Sequence, residues 1–355
     1  MLPPSPAPSP AYPGNTYRPF TDLIALESLN PTTFRSIAPP FSPGGVVGTG
    51  RAYGGHVFMQ AAWAACQTVD ERFLLHACHF LLPGLTHIPF TYKVHNLRDG
   101  RSYSTRLVTV TQTPGKGICF ASTCSFKKAE TSPLDVQEER NIWKKYARVL
   151  GGKRPTDFPE CPGIDTPWYW ARRRQTGINE PFPGLQMHMP DMTAQNSSLH
   201  PLDRRQLICY RTLGDLPRNP NLHLCAHLYA SDRNSLFIVA NHFDLGDRWT
   251  QMGTLVHTVV FHTGMEDLWF EPPPQNASSS SPLDDDEGRW FCKEDSSDRV
   301  AGGRGMFRSQ VWAANGRHVA TIMQEGMIRV TNSAVASEAE VRVIEGVEAG
   351  WKARL

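Results

Sequence analysis

Apolar residues along the chain follow two patterns, one with a helical period and one that alternates with polar residues. The segment GGHVFMQAAWAACQTV, residues 54–69, is apolar and rich in alanine, which predicts a helix buried on most of its faces. Strand-like segments follow it, separated by turn signals: FLLHACHFLLPG, PFTYKVHNLRDG, RSYSTRLVTVTQ and KGICFASTCSFKK. Because short turns join consecutive strands, we expect these strands to be antiparallel.

The same order of elements then begins again. Residues 230–243, ASDRNSLFIVANHF, predict a second helix that starts at a Ser231 or Asp232 cap. The predicted strands after it are QMGTLVHTVVFHT, LWFEP, GMFRSQVWAANG and RHVATIMQEGMIR. Residues 101–126 and 302–326 form matching predicted hairpins, each with a glycine turn near its middle. Two units of a helix followed by strands predict a duplicated α+β fold rather than a parallel α/β fold.

Local composition and the two predicted repeats divide the chain into five regions. We expect a disordered proline-rich tail at 1–20, an N-terminal repeat at 21–130, an irregular linker at 131–205, a C-terminal repeat at 206–335 and a tail at 336–355. RNIWKKYARVL predicts one short helix inside the linker. PPPQNASSSSPLDDDEG has low complexity and predicts a flexible surface insertion at 272–288.

One glutamine stands out in the last predicted strand, ATIMQEGMIR. Alternation places Ala320, Ile322, Gln324, Gly326 and Ile328 on one side of it. Gln324 therefore lies on an apolar face, where an amide without hydrogen-bond partners costs about 1–3 kcal/mol. The sequence predicts that Gln324 holds other polar groups there.

Charge and motifs exclude several classes of function. The net charge of +2 over 355 residues comes with no evident basic face, which argues against a nucleic-acid partner. No apolar run reaches the length of about 18 residues that a transmembrane helix needs. The eight cysteines show no Cys-x-x-Cys spacing and no signal-peptide pattern is present, so we expect reduced thiols in an intracellular compartment. The G-x-S-x-G, P-loop, H-E-x-x-H and G-x-G-x-x-G motifs are absent from the sequence.

A metal site is not expected at the HACH segment, and no cofactor is expected elsewhere. In a strand, His76 and Cys78 face one way and His79 faces the other, so the three side chains do not converge.

Several segments together resemble one enzyme family. YGGHVFMQAAWAA, HFLLPG, LRDGRSYSTRLV, YASDRNSLF, GTLVHTVVFH and VATIMQEGMIR, spread over most of residues 48–330, are similar to the acyl-CoA thioesterase II family of bacterial TesB and its peroxisomal relatives. The resemblance implies a double hotdog fold, in which an antiparallel sheet wraps each long helix. It also implies an acyl-CoA substrate.

The resemblance implies three catalytic residues: an Asp at the start of the second helix, a Thr on the next strand and a Gln in the last strand. These are Asp232, Thr254 and Gln324. The family pattern usually has an acid two residues after the Thr, and Val256 stands there.

Thioester hydrolysis gives these residue types a chemical purpose. Water is a poor nucleophile, so a carboxylate such as Asp232 must take its proton, while Thr254 and Gln324 aim it at the carbonyl. Backbone N–H groups of Gly54 and Gly55, at the start of the first helix, are candidates to stabilise the oxyanion. Arg101 and Arg304 occupy matching points of the two repeats and could meet CoA phosphates, or simply be solvated.

Other interpretations remain open on the residues alone. Asp232 could be only a helix cap, Thr254 an ordinary strand residue and Gln324 a structural amide. The protein could be a catalytically idle double hotdog that binds an acyl chain or a partner, or a hotdog hydratase. Hydratases carry a His five positions after the Asp, and Phe237 stands there.

Assembly and location complete the expectations. Hotdog relatives commonly pair sheet edges or faces, so we expect a homodimer or a higher homo-oligomer. The C-terminal Ala353, Arg354 and Leu355 resemble a peroxisomal address that an import receptor would bind, and without such a signal we expect a cytoplasmic protein.

Overall fold

The computed structural model describes residues 15–42, 52–70, 72–81, 88–113, 117–138, 142–271, 284–285 and 288–331. Of residues 76–81 and 284–285 it describes the backbone alone. Most of the predicted proline-rich tail and of the predicted insertion lie outside these residues, as does the whole C-terminal tail with Ala353, Arg354 and Leu355.

The described chain contains runs of helices and runs of strands. They are α1 (Phe20–Ile24), β1 (Leu26–Asn30), β2 (Thr33–Ser36), α2 (Gly54–Cys66), β3 (Phe73–Leu81), β4 (Thr91–Asp99), β5 (Tyr103–Thr111), β6 (Phe120–Lys128), α3 (Ile142–Lys145), α4 (Ala147–Leu150), α5 (Pro167–Thr176), β7 (Leu185–His188), α6 (Thr193–Asn196), β8 (Gln206–Thr212), α7 (Pro220–Ser231), α8 (Ser235–His242), β9 (Trp249–Phe261), β10 (Asp284–Asp285), β11 (Gly288–Arg289), β12 (Phe291–Ala301), β13 (Arg304–Trp312) and β14 (His318–Val330). None of the helices in these ranges is long and apolar enough to cross a membrane.

A twelve-stranded antiparallel sheet joins the two halves of the chain. Its order is β1-β2-β4-β5-β6-β3-β9-β14-β13-β12-β8-β7. The strands β3, β4, β5 and β6 take the same relative places in the first half as β9, β12, β13 and β14 take in the second. The two blocks meet where β3 pairs with β9. The predicted duplication of an α+β unit is confirmed by this internal symmetry.

The first long helix, α2, is confirmed where the sequence predicted it. Its residues from Gly55 to Cys66 are buried apart from Trp63, because the sheet covers one side and α7 packs on another. Gly55 is required at its start: a Cβ there would lie 2.7 Å from the Tyr53 ring and 2.8 Å from the Tyr229 carbonyl oxygen. The missing side chain lets α2 and α7 approach each other.

The second helix differs from its prediction. The predicted single helix at 230–243 is wrong: α7 starts earlier, at Pro220, and ends at Ser231, and α8 begins only at Ser235. Between them Asn234 adopts a left-handed backbone with φ 57°, which breaks the helix. Asp232 is therefore the C-terminal cap of α7 rather than an N-terminal cap.

The start of α7 carries a signal that the prediction overlooked. Asn219 accepts hydrogen bonds from the backbone N–H groups of Asn221 and Leu222, and Pro220 occupies the first helical position. An Asn cap followed by Pro is a strong helix-start pattern.

The segment LWFEP was predicted as a strand, but its described residues, 268–271, are not one. The Phe270 backbone N–H donates to His223 Nδ1 on α7 at 3.1 Å, and the Phe270 ring stacks on His227 at 4.5 Å between centroids. Packing against the helix thus takes the place of a strand ladder.

The second half has a strand, β12, that the sequence did not predict; it follows the LWFEP segment along the chain. Residues 291–297 of β12 are buried on both faces, so its polar residues do not alternate with apolar ones.

The stretch at 131–205 contains more regular structure than expected. The described part of RNIWKKYARVL, from residue 142 on, contains two short helices, α3 and α4, rather than one. The helix α5 follows, and β7 pairs with β8 at the end of the large sheet. The domain boundaries themselves stay a prediction.

Candidate active site

Three side chains from different elements meet beside the break between α7 and α8. Gln324 on β14 donates from Nε2 to Asp232 Oδ1 at 2.9 Å and to Thr254 Oγ1 at 2.6 Å. The Thr254 hydroxyl lies 3.5 Å from the same Asp232 oxygen. The structure therefore brings together the three residues that the resemblance implied.

Gln324 lies on the predicted apolar face of β14. Ala320, Ile322, Gln324, Gly326 and Ile328 are all buried, and Gln324 itself is 1 % exposed. Both hydrogens of its amide nitrogen serve Asp232 and Thr254, which explains why a primary amide stands among apolar residues. Gly326 leaves room for α8, since a Cβ there would lie 2.4 Å from a Leu236 methyl group.

A β-bulge turns Thr254 towards Gln324. On β9, His257, Val259 and Phe261 face inward, so simple alternation would point Thr254 outward. The pairing with β14 skips Leu255: Val256 pairs with Glu325, and Thr254 pairs with Gly326. The extra residue reverses the side on which Thr254 projects.

Val256 lies on the outer face of the sheet and is 43 % exposed. An acid at this position would point away from Asp232, so the departure from the family pattern leaves the three-residue cluster unchanged.

The start of α2 supplies a further partner for Asp232. The Gly55 backbone N–H donates to Asp232 Oδ2 at 3.1 Å. The early N–H groups of a helix have no partner within the helix and carry partial positive charge, so they stabilise a carboxylate. In this structure Gly55 binds the carboxylate, and Gly54 is the first residue of the same helix. The two halves of the chain thus build the site together.

Burial sets the acidity of Asp232. Desolvation raises the pKa of Asp232 to about 6, against smaller opposing effects from the Gln324 and Gly55 hydrogen bonds and from the charge of Lys293. Asp232 as a residue is still partly exposed, as is Thr254. A carboxylate with this pKa is ionised at neutral pH and can accept a proton from water more readily than an ordinary Asp.

Two residues near Asp232 escaped the sequence analysis. Ser235, the first residue of α8, donates from Oγ to Asp232 Oδ1 at 3.3 Å. Lys293 on β12 donates to the backbone carbonyls of Ala230 and Arg233, on either side of Asp232. Ser235 lies three residues after Asp232, a spacing that brings two side chains close together in a helical turn, so the sequence could have indicated this contact. No feature of the sequence near Lys293 indicates that it lies close to Asp232.

The other predicted site residues lie apart from the cluster. Arg101 is exposed in the turn between β4 and β5. Arg304 lies at the matching turn between β12 and β13, where it forms an ion pair with Glu325 at 3.0 Å on the outer face. The described hydrogen bonds of Asp232, Thr254 and Gln324 involve neither arginine.

The HACH segment is the place where the sequence raised the question of a metal site. The side chains of His76, Cys78 and His79 lie outside the described part of the chain. Among the side chains that are described, no group of three or more His, Cys, Asp or Glu is placed to hold a metal ion.

Family comparisons cover most of the chain. Residues 43–127 match a family model described as the acyl-CoA thioesterase N-terminal domain, and residues 155–328 match one described as the acyl-CoA thioesterase C-terminal domain. Acyl-CoA thioesterase 2 of Haemophilus influenzae is 27 % identical over 321 residues, which are 86 % of this chain and 96 % of that protein. Human acyl-coenzyme A thioesterase 8 is 26 % identical over 79 % of this chain and 81 % of its own length.

Solved structures agree on the fold. An acyl-CoA thioesterase II, TesB2, from Mycobacterium marinum superposes with a TM-score of 0.58 at 22 % identity, covering 89 % of this chain and 99 % of its own. A protein of unknown function with a hotdog fold from Alicyclobacillus acidocaldarius gives a TM-score of 0.59 at 15 % identity, covering 88 % of this chain and 98 % of its own. The double hotdog expected from the sequence is confirmed.

Proposed function

Because the chain belongs to the acyl-CoA thioesterase family, we propose that it hydrolyses acyl-CoA to a free acid and CoA with water activated by Asp232, Thr254 and Gln324. One observation carries the assignment of these residues. The Thr254 side chain on β9 and the Gln324 side chain on β14 both contact the Asp232 carboxylate at the α7–α8 break, and burial raises the pKa of that carboxylate.

In the proposed reaction, Asp232 accepts a proton from water as the water oxygen attacks the thioester carbonyl carbon. The carbon–sulfur bond then breaks and CoA leaves as a thiolate. A carboxylic acid with a pKa of about 6 can return its proton to that thiolate, because a thiol has a higher pKa, about 8.5 in cysteine. The net reaction consumes one water, and Asp232 returns to its ionised form.

Thr254 and Gln324 orient the reacting groups in this scheme. Neither changes charge, and both already contact Asp232 Oδ1, so a water molecule bound there would have a fixed direction of attack. Gly54 and Gly55 are proposed as donors to the oxyanion. Gly55 would then share its N–H with Asp232.

Arg101 and Arg304 are proposed only as contacts for the CoA phosphates. Both are exposed, as a phosphate site requires, and the Arg304 ion pair with Glu325 would have to open. Fatty, branched, aromatic and polyketide acyl groups are all compatible with the cluster. A panel of acyl-CoAs of increasing length would define the preferred chain.

The test of the proposed base is Asp232→Asn. The amide keeps the shape of the side chain but cannot take a proton, so kcat should fall by about 100-fold or more. CoA release from a long-chain acyl-CoA is followed with a thiol reagent, and folding by circular dichroism. Near-normal turnover in the folded variant would exclude Asp232 as the base.

A matched control for this test is Asp165→Asn. Asp165 is also a buried carboxylate whose pKa burial raises, but its partners are Trp170 and Asn241. This variant should keep its turnover, which separates the role of Asp232 from a general effect of removing a buried charge. Loss of activity in both variants would instead point to a general effect of removing a buried carboxylate on the fold.

The idle double hotdog is the second candidate, and the same assay decides it. An acyl-binding protein would bind acyl-CoA without releasing CoA.

We also propose peroxisomal import through Ala353, Arg354 and Leu355, on the sequence alone. Deletion of Leu355 from a fluorescent fusion should move it from peroxisomes to the cytoplasm.

A further inference from the structure

A buried lysine lies beneath the turn that carries Asp232. The Lys293 side chain is fully buried on β12. Its Nζ lies 3.4 Å from the Ala230 carbonyl oxygen and 3.2 Å from that of Arg233. These two carbonyls flank Asp232 at the C-terminal end of α7, where backbone oxygens lack helical partners and a cation is favoured.

Asp295 is the carboxylate that lies within ion-pair distance of Lys293 among the described side chains. Asp295 is two residues further along β12, so it faces the same side, and its Oδ2 lies 3.6 Å from Lys293 Nζ. The Asp295 side chain is fully buried as well. A buried charge is costly without a partner, so a chain that keeps both groups in its interior retains an expensive arrangement next to the proposed base.

We propose that Lys293, balanced by Asp295, is a positioning residue for hydrolysis: it fixes the turn that carries Asp232 and places a positive charge beside that carboxylate. The proposal rests on the proposed function, because it takes Asp232 as the base. Lys293 does not touch the reacting atoms and acts through Asp232.

Electrostatic effects on neighbouring groups support this placement. The charge of Lys293 lowers the pKa of Asp232, against the larger effect of burial. Without it, burial would leave more of the base protonated at neutral pH.

The charged and titratable groups around Lys293 come from several elements. They are Asp295 on the same strand, Asp232 and Arg233 on the turn, His257 on β9 and Cys161 in the loop before α5. Burial lowers the pKa of His257 to about 3 and raises that of Cys161 to about 12, so neither changes charge between about pH 5 and pH 8. Burial raises the pKa of Asp295, and Lys293 opposes that effect.

Two variants should shift the pH profile in opposite directions. Asp295→Asn removes the counter-charge and leaves Lys293 intact, so the acidic limb of kcat/KM should move to lower pH. The double variant Lys293→Met/Asp295→Asn removes both charges, so the limb should move up by about one pH unit. At pH 6 this upward shift alone would lower kcat/KM about fivefold.

A matched control lies on the opposite face of the same strand. Glu294 is buried there with Lys145 and with the Tyr146 hydroxyl, at 2.6 Å, as its partners. Lys145→Met/Glu294→Gln removes an ion pair between α3 and β12, more exposed on its lysine side, and leaves the groups that contact Asp232 unchanged. Its acidic limb should stay where it is in the unaltered protein, even if its melting temperature falls.

Opposite shifts in the two variants would support the proposal. An unmoved limb in both, with kcat/KM lowered equally at every pH, would show a merely structural role and overturn it. If the double variant fails to fold, Asp295→Asn decides alone: a limb that stays in place or rises refutes the proposal. Full turnover by Asp232→Asn would instead refute the proposed function, and the role of Lys293 with it.

Discussion

At the scale of single residues, the raised pKa of Asp232 predicts that activity is sensitive to acid. In the proposed mechanism Asp232 acts as an anion, so activity should be complete above its pKa and lost as pH falls through about 6. We expect kcat/KM to rise about tenfold per pH unit below this value and to level off above it. The measurement is kcat/KM from pH 4.5 to 8.5, with samples returned to pH 7.5 to show that the loss is reversible. If kcat/KM instead began to fall only near pH 4, the prediction would be contradicted.

The same pKa predicts a cost in stability. The pKa of Asp232 is higher in the folded than in the unfolded state, so its protonated form favours folding. This contribution to stability is fully present below about pH 4 and is lost as pH rises through about 6. Asp232→Asn should therefore raise the melting temperature, relative to the unaltered protein, by a few degrees more at pH 8 than at pH 4. If the difference in melting temperature between the variant and the unaltered protein were equal at both pH values, ionisation of Asp232 would not destabilise the folded state.

Sequence reasoning reached these residues unevenly. The inward position of Gln324 follows from strand alternation, which a continuous apolar face makes dependable. The identity of Asp232 follows from the resemblance, but its place at the end of α7 depends on the left-handed backbone of Asn234, which no periodicity encodes. Lys293 was out of reach because its burial comes from elements distant in sequence.

At the scale of elements, the pairing of β9 with β14 couples Thr254 to Gln324. Thr254→Ala and Gln324→Ala should each lower kcat by about ten- to a hundredfold with little change in KM, because neither is assigned to the resting acyl chain. Two groups that hold one water act as a unit, so the double variant should lose far less than the product of the single losses.

A double-mutant cycle with melting curves on the same samples tests this coupling. Thr258→Ala is the matched control: it lies on β9 as well, but on the outer face, and should keep its kcat. If Gln324 is only a structural amide, its removal should lower the melting temperature, leave kcat per folded molecule intact and add independently to Thr254→Ala.

The elements themselves were predictable where turns and alternation were regular. The hairpins β5–β6 and β13–β14 occur where the sequence placed them. The bulge at Leu255 was not predictable. An unpaired residue changes the face of the sheet on which the Thr254 side chain lies, but it leaves no mark on the amino-acid composition of the strand. β12 was missed because burial of both its faces removes alternation.

At the scale of the whole molecule, the described part of the sheet has exposed apolar side chains and two end strands that are suited to assembly. Val256 and Met323, both 43 % exposed, lie on the outer face of the paired central strands β9 and β14. We expect at least a homodimer, because such apolar side chains and the end strands β1 and β7 are suited to self-association. Light scattering at micromolar concentration measures the mass, and a 39.7 kDa particle would contradict the expectation.

The pairing of β3 with β9 also has a consequence for synthesis on the ribosome. One edge of β3 receives its partner only after the chain has reached His257, the first residue of β9 that pairs with β3. At typical translation rates this takes roughly ten seconds or more after β3 emerges. During that interval the first half carries an open strand edge that other nascent chains can join. Production of the intact protein therefore depends on protection of this edge, so slower translation or a shortage of chaperones should reduce soluble yield before it affects the activity of molecules already folded.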